Sequence, residues 1–145
     1  MPRITWLRLI IGILVATIIM FFSDGFFHEK VVSADWMAVY SALGSTPPVH
    51  NVANLSYFVI FELGRAIIAM ALYVLMRPCC GPGPKTAVLA GVVMWIALSV
   101  TGPAQFIPLG FFSHALWIKV AAFQLVTSII ATLAGAVLYK DAQGS

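Results

Sequence analysis

Charge is what this 145-residue chain has least of: only 9% of its residues are Asp, Glu, Lys or Arg. A water-soluble domain carries about 25% charged residues and roughly 45–50% apolar ones, whereas 61% of this chain is hydrophobic. A soluble fold of this length cannot bury so much apolar surface under a polar cover, so lipid must solvate most of it. Cysteine is nearly absent. The two present, Cys79 and Cys80, are adjacent, match no zinc or haem-attachment spacing, and are too close in sequence for an unstrained disulfide. They read as loop residues. Although the net charge is +3, there is no basic run, which removes the electrostatic footprint that nucleic acid requires. No glycine-rich phosphate loop, G-x-S-x-G or H-E-x-x-H pattern occurs. Too little chain lies outside the apolar runs for a soluble catalytic domain, so the sequence argues against an enzyme.

What is present is long apolar runs. A helix needs roughly 20 mostly apolar residues to cross a bilayer core of about 30 Å. Four stretches satisfy this, at about 7–27, 54–76, 86–102 and 117–139. They predict an all-α, polytopic membrane protein: a four-transmembrane-helix bundle forming a single transmembrane domain over residues 1–145. Trp6, Trp36, Trp95, Trp117 and Tyr139 fall at or near the ends of these runs, where interfacial aromatics belong.

Orientation follows from the Lys and Arg of the short loops. With the N-terminus inside, the cytoplasmic side carries Arg3, Arg8, Arg77, Lys85 and Lys140, against Lys30 and the membrane-edge Lys119 outside. Both termini are therefore expected in the cytoplasm. Val32-Ser33-Ala34 resembles a signal-peptidase site, but the preceding apolar run is longer than a normal signal core and a polar DGFFHEK segment intervenes, so the first helix is expected to be retained.

The first outer loop is long. Within it Val32, Trp36, Val39, Tyr40 and Leu43 recur at helical spacing, which predicts a short interfacial helix ended by Gly44 and Pro47-Pro48. The RPCCGPGPK stretch reads as a tight cytoplasmic loop, and GPAQFIPLGFF as an outer loop dipping into the interface. Gly12 with Ala16, Ala87 with Gly91, and Ala131 with Gly135 form small-xxx-small pairs, the spacing that lets helix backbones approach closely in lipid.

Ionisable residues inside a span cost roughly 2.5–3.5 kcal/mol each on insertion scales, so each is a candidate functional residue. Glu62 and Arg65 are i,i+3 neighbours on the second helix, about 12 and 16 Å below its outer end. Asp24 and His28 share a face near the outer end of the first, while Lys119 and Gln124 lie on the fourth. Asp24, His28, Glu62, Arg65, Lys119 and Gln124 thus define a candidate intramembrane polar cluster. In its simplest form Glu62 neutralises Arg65, and Asp24 pairs with Lys119 across helices. The alternative is a proton or ion pathway. His28 and His114 sit at outer helix ends as weak candidates for ligating haem or a chlorophyll-type pigment; His50 lies in a proline-flanked loop. The E-x-x-H pattern of di-iron helices is absent, and neither a metal nor a cofactor is predicted.

Phe21 to His28, Gly81 to Gly91 and Ala131 to Tyr139 resemble the corresponding parts of small bacterial membrane-protein families of unknown function. In those families an apolar helix with a phenylalanine-, glycine- and histidine-containing end precedes a second helix, a short basic turn and two Gly/Ala-rich helices. The resemblance implies a four-helix fold in a bacterial cytoplasmic membrane and brings no activity with it. In size the chain is also similar to small multidrug transporters. Their hallmark is an isolated glutamate in the middle of the first helix, whereas here that helix has no acid before Asp24. The expectation with most support is an accessory subunit of a larger membrane assembly, respiratory or photosynthetic. A small proton- or ion-coupled transporter using Glu62 and Arg65, or a cofactor-binding anchor, are the alternatives.

Overall fold

The computed structural model describes residues 4–139. Their secondary structure is helical throughout: α1 (Trp6–Lys30), α2 (Ser33–Ala42), α3 (Val52–Cys80), α4 (Pro84–Trp95), a π-helical turn (Ile96–Val100), α5 (Thr101–Ala104) and α6 (His114–Leu138). Helices α1, α3 and α6, and the continuous helical stretch Pro84–Ala104, are each long and apolar enough to cross a membrane. The four-helix bundle expected from the apolar runs is the fold.

Local chemistry sets the ends. Asn51 accepts a hydrogen bond from the Asn54 backbone N–H at 2.8 Å and Ser113 accepts one from that of Leu116 at 3.1 Å, so α3 and α6 begin on side-chain caps. Gly44 follows α2 and Gly81 follows α3, with φ of 62° and 79°, a left-handed conformation that glycine adopts without steric cost. The chain then reverses within Gly81–Gly83, and Pro84 opens α4, where its missing N–H is harmless.

Two loop expectations are corrected. Pro78, Cys79 and Cys80 form the last turn of α3 rather than a loop. A proline third from the end of a helix removes only one ladder hydrogen bond, and the turn is closed by the Gly81 N–H donating to the Arg77 carbonyl at 2.9 Å. Likewise Pro103 and Ala104, read as loop, continue the third span within α5. Pro103 accounts for the wide π turn just before it. In a regular α-helix its ring would press on the carbonyl four residues back, Ser99, and widening the turn relieves this.

Neighbouring helices run antiparallel in the ring α1–α3–α4–α6, and α3 and α6 also touch across the diagonal. Small residues allow this. Gly12 of α1 lies against Gly135 of α6, and Gly91 of α4 against Ser128 of α6. The middle of the bundle is filled by Ala16, Met20, Ala66, Ala69, Met94 and Ala131. The end where α1 stops and α2 begins, here the α2 end, is closed by Phe27, Val32, Val39, Leu116 and Val120, with Phe27 stacked on Phe123 at 4.0 Å between centroids. Of the five apolar residues expected to seat α2, Val32 and Val39 are buried, while Leu43 lies beyond the helix and is exposed.

Candidate intramembrane polar site

The inward stripes of three helices carry polar residues at one level. On α1 the buried series is Ala16, Met20, Asp24, Phe27; on α3 it runs Glu62, Arg65, Ala66, Ala69; on α6 it includes Val120, Gln124, Thr127, Ser128, Ala131. Each follows the three-to-four-residue period of one helix face. A polar layer is therefore clamped between the Ala/Met middle of the bundle and the aromatic closure at the α2 end.

Arg65, fully buried, is the hub. Its Nη1 donates to Asp24 Oδ2 at 2.6 Å and to Glu62 Oε2 at 2.8 Å, and its Nη2 donates to Ser128 Oγ at 3.0 Å. Asp24 collects more: Gln124 Nε2 donates to Oδ2 at 2.7 Å and Thr127 Oγ1 to Oδ1 at 3.2 Å. One guanidinium nitrogen thus serves two carboxyls from two helices, while the ring face of Phe61 lies 5.7 Å from the guanidinium carbon. Arg65 Nε has no hydrogen-bond partner among the described residues, and neither does Oγ of the buried Ser99. Met94 packs in the same core as Ala66 and Ala69. Five residues further along the antiparallel α4 stretch, Ser99 therefore stands level with Glu62.

Of the six residues expected in the cluster, Asp24, Glu62, Arg65 and Gln124 are joined in it. Lys119 is not. Its Nζ binds Asp35 of α2 at 2.9 and 3.1 Å, and Asp24 pairs with Arg65 instead. The reason is depth: Lys119 lies in the second turn of α6, half exposed, at the level of α2, whereas Asp24 is more than a turn further into the bundle. His28 also points elsewhere, accepting at Nδ1 a hydrogen bond from Trp36 Nε1 at 2.8 Å. That bond requires a lone pair on Nδ1 and so places the ring hydrogen on Nε2. His114 opens α6 with an exposed side chain.

Thr127, Ser128 and Asp35 were missed. Thr127 and Ser128 lie three and four residues past Gln124, the spacing that keeps them on its face, and this signal was available in the sequence. Among the described residues no group of three or more His, Cys, Asp or Glu is gathered to hold a metal. Two shallow apolar grooves, one between Trp95 and Trp117 and one beside Tyr73 and Pro84, are lined without any member of the cluster. Comparison with protein-family models, with curated proteins and with solved structures finds no match to this chain.

Proposed function

We propose that the chain is an accessory subunit of a bacterial cytoplasmic membrane assembly, with both termini cytoplasmic, and that it receives a transmembrane helix of its partner on the first half of α3. One observation carries this reading. From Val52 to Phe61 every residue of α3 is exposed except the half-buried Asn54. Ten residues rise about 15 Å and complete nearly three turns, so this half of the helix shows all its faces. A bundle helix ordinarily buries one stripe along its length, as α3 itself does from Glu62 to Tyr73. The unpartnered half carries Leu55, Tyr57, Phe58, Val59, Ile60 and Phe61. Its aromatic side chains are of the kind enriched at protein interfaces. The Arg and Lys residues at the Arg77–Lys85 turn support the orientation.

A photo-crosslinking amino acid at Phe58 or Ile60, activated in native membranes, is expected to give a discrete protein adduct. The same probe at Ile18, an exposed residue of α1, is expected to label lipid only. Lipid adducts alone at all three positions, with a clean monomer in native mass spectrometry from mild detergent, would overturn the proposal.

A further inference from the structure

The buried polar layer is unbalanced in charge. Ionised Asp24 and Glu62 bring two negative charges, Arg65 brings one positive charge, and Gln124, Thr127 and Ser128 bring none. The surrounding elements do not correct this. Lys119 of α6 is held by Asp35 of α2, His28 of α1 uses its Nδ1 lone pair for Trp36, and the α4 stretch offers Ser99 at this level. A single uncompensated charge inside a bundle surrounded by lipid is strongly unfavourable. A self-contained structural ion pair would balance.

We propose that Asp24 and Glu62 form a proton site, holding one exchangeable proton beside Arg65 and reached from the α2 end past His28. The proton resides on Glu62. Asp24 receives donors from Arg65 and Gln124, and shares with the Gln124 carbonyl the hydroxyl of Thr127; hydrogen bonds of that kind stabilise a carboxylate. Glu62 receives the single donor Arg65 at Oε2, which leaves Oε1 to carry the hydrogen. A second observation also points to a small polar guest. Arg65 Nε and Ser99 Oγ, both buried, have donors that the helices leave unanswered, and one water at this level answers such a donor. His28 stands one helical turn from Asp24 on the same face, half buried. Its Nε2 carries a hydrogen, and once the Trp36 donor swings off Nδ1 the imidazole takes a proton there as it gives one up at Nε2. This site is independent of any partner on α3.

Infrared difference spectroscopy of the full chain in lipid nanodiscs tests it, through the carbonyl stretch of a protonated carboxyl. The wild type is expected to show one such carboxyl. Counting charges, Glu62→Gln and Asp24→Asn each leave one carboxylate beside one guanidinium, so each variant loses the band. Arg65→Gln leaves two carboxyls without a cation, and the band doubles. Transfer to deuterated buffer shifts the wild-type band, and His28→Phe slows that shift. Circular dichroism checks that each variant is folded, and the two carboxyl variants decide the matter if Arg65→Gln does not fold. No band in the wild type, or a band that survives both carboxyl substitutions, overturns the proposal. So does a band that appears only when sodium is replaced by choline, since the site would then hold a metal cation. An unchanged exchange rate in His28→Phe overturns the route.

Discussion

Gly12 and Gly135 face each other across α1 and α6 so closely that a Cβ on Gly12 would lie 2.8 Å from the Gly135 carbonyl oxygen, and one on Gly135 would lie 2.8 Å from that of Gly12. Each side thus meets a backbone oxygen, which cannot swing away as the Met70 side chain beside both glycines can. Gly12→Ala is therefore expected to destabilise the bundle by about 1–3 kcal/mol, the usual range for overpacking. Gly64 on α3 has nothing within 4 Å of the same position. Gly64→Ala is expected to be neutral or to stabilise by up to about 1 kcal/mol through helix propensity. Reversible unfolding in mixed micelles measures both.

Removing the hub of the polar layer should cost more than removing either spoke. Arg65→Met leaves Asp24 and Glu62 facing each other with no cation, and breaking a buried ion pair on one side costs about 3–5 kcal/mol. Adding Asp24→Asn and Glu62→Gln to Arg65→Met removes the two carboxyls, which without the cation stay buried only by taking up protons, so the triple variant is expected to recover most of that loss. A triple variant no more stable than Arg65→Met would show that the layer contributes by packing and not by charge.

The bundle was legible because its signal is the length of apolar runs, and that signal does not depend on which helix touches which. The polar site was legible only in part. Asp24, Glu62, Arg65 and Gln124 stand out in sequence because an ionisable or amide side chain in an apolar run is costly. The Glu62–Arg65 pair follows from their i,i+3 spacing and is present, but the partner of Asp24 was not legible, because it depends on the relative depth of two helices. Asp24 meets Arg65, 41 residues away, and not Lys119, because α2 takes Lys119 first through Asp35. Thr127 and Ser128 share the face of Gln124, but their partners were illegible for another reason. A hydroxyl in a membrane helix is ordinarily satisfied by a carbonyl of its own preceding turn, as Thr132 is by Ser128 O at 2.7 Å, so its presence alone points to no partner. Cys79 and Cys80 misled because Pro78, with Gly81-Pro82-Gly83 just beyond, reads as a helix breaker, and here it falls in the last turn of the helix.

Two contacts pin α2, and they should differ in kind. The Lys119–Asp35 pair is half exposed on the lysine side, and such pairs contribute about 0–1 kcal/mol and are screened by salt. Lys119→Ala is expected to have little effect, and none at high ionic strength. Trp36→Phe keeps the ring against Phe112 at 5.2 Å between centroids but removes the donor to His28. A loss of about 0.6 kcal/mol, the average for hydrogen bonds between membrane helices, and at most about 1.7 kcal/mol, should persist at high salt.

The π turn of the third span offers the last test, because two indoles tie it to α6. Trp95 Nε1 donates to the Ala121 carbonyl at 2.7 Å, and Trp117 Nε1 donates to the Val100 carbonyl at 3.2 Å. The first is the shorter and anchors the turn where it starts; the second accepts at its end, on a carbonyl that the widened backbone exposes. Trp95→Phe is therefore expected to cost more than Trp117→Phe, with both effects below about 1.7 kcal/mol before the smaller ring area is added. Loss of either tie leaves the global fold in place while opening the segment locally. Amide hydrogen exchange should accelerate over 96–104 and stay unchanged in the Ala/Met middle of the bundle. Equal acceleration across the whole chain would mean that the tryptophans hold the bundle as a unit, and the local role assigned to the turn would be wrong.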